Sequence, residues 1–497
     1  SYTRYTLYLI GLCLIFRLVL ASYTGLGTGE SYYFRGAYDI ALSYFDQPPL
    51  FFWLSHLSLK ALGLNTFALR LPAVLLFSGT SWVLFLISRY FFSEKAGFYA
   101  VLLFNLSALY VIDGMWFQPD APLLFFWALS LYFLIQLMFP KQSLTWGKSI
   151  YLWTILGFSM GLTGLSKYHV IFFFLGMFLF IFTRQRKLLS HPGLYYSLIV
   201  CSIFFFPVIM WNYQHQWVSI RFQSSRSLAE NFSLHYDWFL RSFLGQALWL
   251  LPWIWVPIVY EFFRTIKLGK TDQKYWFFFC MALFPIVFFT LSTLWADLSY
   301  HFHWQSVGYL ILFVPLGATI ASKLETDARS GIKKWLIFSS LFTYGVLIIA
   351  AFQVQTGFWH SNGPKAFNAM VNTQVPKSYI VDPTLDSYDY DGLLTYFAQH
   401  GLFNESNTFV GAPSWLLAGK VDWALKAKID VRAFEEQRNY AYYFDDAAHL
   451  GQEVIFITRD DQDKVKVDTS AYCSNLRYLD TVPIVRNGRE EIGRAHV

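Results

Sequence analysis

"SIYLWTILGFSMGLTGLSKYHVIFFFLGMFLFIF", residues 149–182, decides the fold class. One helix over this stretch would rise about 50 Å at ~1.5 Å per residue, whereas a bilayer's hydrocarbon core is ~30 Å thick. The polar tetrad "SKYH", Ser166 to His169, interrupts it. The stretch therefore reads as two membrane spans joined by a tight polar turn that carries Lys167.

The same pattern repeats outward from here. Apolar runs recur near 5–22, 68–91, 96–112, 121–139, 149–166, 169–183, 194–211, 243–263, 276–294, 304–321 and 335–354, which predicts about eleven spans. Of the 497 residues, 55% are hydrophobic, 21% aromatic and 14% charged, too little charge for a soluble protein of this length. The net charge of +6 does not indicate nucleic acid, because the basic residues gather in short loops between apolar runs. Cys13, Cys201 and Cys280 lie in apolar runs and Cys473 lacks an evident mate, so no disulfide framework follows. Sequons at Asn105, Asn231 and Asn404 are as many as chance gives. The first run carries Arg17 and no small-residue cleavage site, and reads as a span. Residues 491–497, "EIGRAHV", match the translation of a sequencing-adapter end and are expected to be an artefactual tail.

With the N-terminus inside, the loops "RYFFSEK", "KQSLTWGK", "RQRK", "RTIKLGKTDQK" and "SKLETDARSGIKK" are cytoplasmic, as the positive-inside rule requires. The remaining loops then share the outer face. They hold "GTGESYYFRGAYD", "YFDQPPL", "DGMWFQPDAP", "SKYH", "WNYQHQW" and "DLSYHFHW". Residues 1–354 form the membrane domain in this reading, and 355–490 a small periplasmic α/β module with strand-like "NTFVG" and "EVIFITRD" beside the helix-like "APSWLLAGKVDWAL".

Ionisable groups at a membrane boundary are costly unless solvated or paired, so carboxylates, histidines and a lysine converging on one face suggest a site. For any one of them a solvated loop residue is the simpler account, and boundary aromatics usually form a belt. In residues 29–53, Tyr33, Ala37 and Ile40 recur at helical spacing with Arg35 and Asp39 opposite, which predicts a short amphipathic interfacial helix ended by Pro48 and Pro49. That proline elbow would fix Glu30, Asp39 and Asp46 relative to the membrane.

Taken in order, "YFDQPPLFFWL", "RLPAVLLF", "QPDAPLLFFWALSLYFL", "GLTGLSKY", "WNYQHQWVS" and "DPTLDSYD" resemble the bacterial lipid-linked-sugar glycosyltransferases of the GT-C fold. These are relatives of protein O-mannosyltransferases and of the aminoarabinose transferases that modify lipid A. The resemblance spans about 30–425. It implies a polytopic α-helical GT-C protein of the bacterial inner membrane. The implied reaction moves a sugar, with inversion, from a polyprenyl-phosphate donor to a periplasmic acceptor, a glycolipid such as lipid A or its core, or a protein hydroxyl. Such proteins have an Asp-Glu pair at the head of the first outer loop. Here that pair is Gly29-Glu30, so Glu30 is the implied catalytic carboxylate, with Asp46 and Asp120 beside it. Gln47 stands where the aminoarabinose enzymes carry a basic phosphate ligand, which turns attention to Lys167. Arg35, Asp39, Tyr168, His215, His301 and His303 complete the candidate substrate ligands.

The chemistry suits these residue types. A carboxylate deprotonates an acceptor hydroxyl, and cations stabilise the departing lipid phosphate. No Gly-rich phosphate loop occurs, as expected for a donor already activated on a lipid. "HFH", residues 301–303, is read as sugar or phosphate ligands, with a divalent metal as the alternative. A transporter or flippase would show broken spans and an internal repeat instead. A scaffold leaves the acidic loops unexplained.

Overall fold

A computed structural model describes residues 1–227, 233–296, 301–326, 331–358, 383–405, 407–435, 437–443, 449–459, 479–486 and 489–496. By packing, the chain divides into two units. One comprises Ser1–Leu18, Asp46–Phe51 and Pro72–Tyr344; the other comprises Val19–Phe45, Phe52–Leu71 and Gly345–Val497. The division thus does not run at a single boundary near residue 355. Most of residues 23–67, expected above to face outward, packs with the C-terminal module.

In chain order the helices up to residue 184 are α1 (Tyr2–Tyr23), α2 (Thr28–Tyr38), α3 (Leu50–Leu62), α4 (Thr66–Phe91), α5 (Glu94–Leu106), α6 (Ala108–Asp113), α7 (Asp120–Met138), α8 (Trp146–Ser166) and α9 (Val170–Arg184). There follow α10 (Pro192–Gln214), α11 (Val218–Ser227), α12 (Tyr236–Leu250), α13 (Pro252–Leu268), α14 (Gln273–Leu291), α15 (Ser306–Leu310), α16 (Phe313–Thr326) and α17 (Ile332–Thr356). Among the described residues 8 helices are long and apolar enough to cross a membrane, or 9 if the bent pair α12–α13 is one span. Three of the eleven expected runs do not fall on one straight helix of span length. Residues 96–112 divide into α5 and α6 at Ser107, whose ψ of 120° leaves the helical region. Residues 243–263 bend by 111° at Leu251, with a φ of 70°, where Pro252 disfavours a helical conformation of the residue before it. Residues 169–183 fall on α9, a helix of only 15 residues.

The first unit is a helix assembly around Phe77, Phe104, Trp127 and Phe313. Its α8 and α10 approach closely because Gly157 faces the carbonyl of Ser197, which a Cβ would meet at 2.4 Å. Arg17 is buried, donates to Asn105 Oδ1 at 2.9 Å and lies 4.3 Å over the Phe77 ring. The Asn105 amide in turn donates to Ser81 and the carbonyl of Val101, so this sequon is an internal strut. Asn231 and Cys473 lie outside the described residues. Cys13, Cys201 and Cys280 are buried free thiols.

The proline elbow also differs from expectation. The helix expected to run up to Pro48 stops at Tyr38, and Asp39 takes an extended conformation. Pro48 and Pro49 instead lead into α3 at Leu50. A proline suits a helix start, where its missing N–H costs nothing.

In the second unit α18 (Gly392–Gln399) precedes β1 (Thr408–Ala412), α19 (Trp415–Ala424), β2 (Val431–Ala433), α20 (Tyr440–Tyr443) and β3 (Glu453–Phe456). The three strands form a parallel sheet of order β2-β1-β3, with Val410 opposite both Val431 and Ile455. Strands β4 (Thr458–Arg459), β5 (Thr481–Arg486) and β6 (Arg489–His496) make an antiparallel sheet of order β4-β6-β5. The predicted strand, helix and strand at 407–425 and 453–460 thus correspond to β1, α19, and β3 with β4. Helix α19 lies on α2 at backbone distance: a Cβ on Gly419 would stand 2.6 Å from Tyr32 N and 2.7 Å from its Cα. Backbone cannot yield as a side chain can. Gly419→Ala is therefore expected to cost about 1–3 kcal/mol, read as a lowered Tm of the detergent-solubilised protein; an unchanged Tm would refute this close contact.

Candidate active site

The first unit holds a buried cluster of ionisable groups. Asp120 opens α7, and Lys167 follows α8 in an extended conformation that ends the helix. Lys167 Nζ donates to Asp120 Oδ1 at 2.9 Å, and both side chains are almost wholly buried. Among the described residues this is the partner of Nζ, which leaves two of its three N–H donors for a ligand. His303 lies in electrostatic reach of Asp120, Lys167 and Arg226. Burial pushes its imidazole down to about 4; Asp120 opposes that shift, while Lys167 and Arg226 add to it. Burial thus favours the neutral imidazole, which donates one hydrogen bond from one ring nitrogen and accepts one at the other.

A second cation sits beside it. Arg226 bonds His301 Nε2 at 2.7 Å and lies 4.9 Å over the Trp304 ring, which also packs against His301 at 4.4 Å. Around these groups, Asp113 Oδ2, His169 Nε2, Gln305 Oε1 and Ser306 Oγ are buried without a hydrogen-bond partner among the described residues. Asp113 also interacts electrostatically with Asp120 and Lys167, and His169 with Lys167 and His303. Buried polar atoms are nearly always paired, so an unpaired set around an ion pair marks a place where water or a ligand belongs. Asp46 is in this unit too, buried, with its carbonyl accepting from Gln223 Nε2 at 2.7 Å. Gln47 beside it is half-buried.

The other candidates have different surroundings. His215 ends α10, stacked 4.0 Å from Trp211, with Nδ1 on that residue's carbonyl at 2.8 Å. Tyr168, next to Lys167, is half-buried. Among the described residues no group of three or more His, Cys, Asp or Glu is arranged to hold a metal ion.

Glu30, Arg35 and Asp39 belong to the second unit. Glu30 accepts from Arg70 through both oxygens, Nε to Oε1 at 2.7 Å and Nη2 to Oε2 at 2.6 Å, and Oε2 also accepts from the Gly27 amide at 2.9 Å. Arg70 further donates to the carbonyls of Thr24 and Gly25 at 2.9 and 2.7 Å. Arg35, expected on the polar face of an interfacial helix, is instead buried against Asp422 in a bidentate pair at 2.8 and 2.5 Å. Asp39 meets Arg35 at 3.4 Å with a half-exposed side chain.

Arg70, Asp113, His169, Arg226 and Asp422 were not singled out by sequence. Arg70 was legible as a charge at the head of a span, in "RLPAVLLF". Asp422 resembles any solvated helix residue until the structure shows it buried.

Residues 46–211 match the model of the family described as dolichyl-phosphate-mannose-protein mannosyltransferase. Over 266 residues the chain is 23% identical to the lipid A galacturonosyltransferase RgtD of Rhizobium johnstonii, a match that takes in 52% of this chain and 54% of that protein. The chain thus spans about half the length of this curated relative. ArnT from Cupriavidus metallidurans in the apo state has a TM-score of 0.64 at 14% identity, covering 99% of this chain and 98% of that one. The same protein bound to undecaprenyl phosphate gives 0.64 at 13%, covering 100% and 98%. The chain is a multi-pass membrane protein with the GT-C fold of ArnT and a small C-terminal module.

Proposed function

We propose that the chain is a glycosyltransferase that moves a sugar from a polyprenyl-phosphate donor to a glycolipid, lipid A or its core, at the periplasmic face. The observation that carries this reading is the buried Asp120–Lys167 pair with Arg226, His303 and a rim of unpaired polar atoms. Lys167 and Arg226 hold the donor phosphate, and Asp120 aims the lysine. The acceptor oxygen attacks the anomeric carbon as the bond from that carbon to the phosphate oxygen breaks, and the leaving group departs as lipid phosphate against the two cations. Asp113 and Gln305 accept hydrogen bonds from sugar hydroxyls. Asp46, buried in the same unit, takes the acceptor proton if the acceptor is a hydroxyl. ArnT solved with undecaprenyl phosphate and RgtD acting on lipid A support this donor and acceptor class.

The sidedness follows from charge. Helix α7 runs from Asp120 to Met138 just before Lys141, and α8 runs back from Trp146, beside Lys148, to Ser166. Lys141 and Lys148 belong inside by the positive-inside rule, which puts the Asp120–Lys167 end outside. In intact spheroplasts, Ser225→Cys is expected to react with an impermeant maleimide and Gln142→Cys only after lysis. Membranes carrying the chain should transfer label from polyprenyl-phosphate sugars to lipid A in right-side-out vesicles. Reversed labelling overturns the orientation. Absence of transfer from pentose, hexose and hexuronate donors overturns the reaction.

A further inference from the structure

Helix α2 begins at Thr28, so Gly27 holds the N-cap position, yet glycine has no side chain with which to satisfy the first amides. The structure supplies the cap from far along the chain. Asp386 accepts from the Thr28 amide at 3.1 Å and also from the Thr28 hydroxyl. Asp389 accepts from the Leu26 amide at 3.1 Å and from Trp423 Nε1 at 3.1 Å, which fixes its orientation. Lys420, a buried ammonium, donates to the carbonyls of Leu26, Asp386 and Tyr388 and so ties the two segments together. The fit leaves no slack: a Cβ on Gly27 would stand 2.9 Å from Asp386 Oδ2, and one on Gly25 would stand 2.7 Å from the carbonyl of Ser387. Two carboxylates at a helix N-terminus also face the positive end of its dipole.

We propose that the C-terminal module is the positioning element of the first outer loop, with Asp386, Asp389 and Lys420 as positioning residues that cap α2 in trans and thereby set Glu30. The link is short, because Gly27, flanked by the held amides of Leu26 and Thr28, donates its own amide to Glu30 Oε2. Glu30 caps the Gly27 amide from within the loop, but the Thr28 amide is left to Asp386. A cap from Asp386 makes the head of α2 form only when the C-terminal module is folded and docked on it. The part that concerns catalysis rests on the reading of the chain as a glycosyltransferase.

The test uses the full-length protein in detergent and three readouts: hydrogen exchange of the amides of residues 26–31, binding of undecaprenyl phosphate, and transfer from a labelled polyprenyl-phosphate sugar. Asp386→Ala is expected to speed exchange at Thr28 and its neighbours at least tenfold and to lower kcat at least tenfold, with undecaprenyl phosphate binding unchanged. Asp386→Asn keeps an acceptor oxygen and is expected to restore most of both, which a mere loss of folding would not allow. Unchanged exchange in the alanine variant overturns the cap. Faster exchange with undiminished kcat overturns the positioning of the site. If the wild-type chain transfers no sugar, the glycosyltransferase reading falls, while the exchange result still decides the cap.

Discussion

Lys167→Ala is expected to abolish sugar transfer, with a loss of about 10³-fold, the scale seen when a donor aimed at developing negative charge is removed. It is also expected to destabilise the protein, which the sequence alone did not suggest. Asp120 is buried with Lys167 as its ion-pair partner, so truncation strands a carboxylate in a low-dielectric interior at a cost of about 3–5 kcal/mol. Loss of activity in the single variant is therefore ambiguous. The paired substitution Asp120→Asn with Lys167→Gln removes both charges and keeps a hydrogen-bonding pair of similar shape. It should recover most of the Tm, because neither partner is left as a bare ion, and recover none of the transfer. Recovery of transfer with stability would show the pair to be structural and would leave the donor phosphate to other groups.

The polytopic class was legible because apolar runs of span length need no tertiary context, and the turn at Lys167 was legible because a membrane limits helix length. Interruptions were harder to see. Ser107 and Leu251 break apolar runs whose hydropathy stays high across the break, and only backbone geometry distinguishes such a run from a straight span. Asp120 and Lys167 could be singled out in sequence because both stand at helix ends expected on one face, but their pairing could not. Arg35 was misread because its pattern, a charge opposite an apolar stripe, fits a solvated face as well as a buried pair. The partner that settles the matter, Asp422, is hundreds of residues away in sequence. The same distance hid the cap on α2: Asp386 lies in the quoted motif "DPTLDSYD", but nothing local ties it to residue 28.

Glu30→Gln is expected to cut transfer by at least 10²-fold, but through the first loop and not through lost basicity. Both Glu30 oxygens are engaged by Arg70, and one also receives the Gly27 amide, so little lone-pair capacity remains for a substrate proton. Removing the charge leaves the Arg70 guanidinium buried without its counter-ion, at about 3–5 kcal/mol. Arg70→Gln is expected to do equal damage from the other side, although Arg70 makes no proton transfer in any version of the mechanism. The double substitution Glu30→Gln with Arg70→Gln separates the two accounts, because two facing amides can still hydrogen-bond and no bare charge remains. If Glu30 anchors the loop, the double variant regains Tm and a substantial share of transfer over either single one. If Glu30 is the general base, the double variant regains Tm and stays inactive, and its residual rate rises as the acceptor hydroxyl is made more acidic.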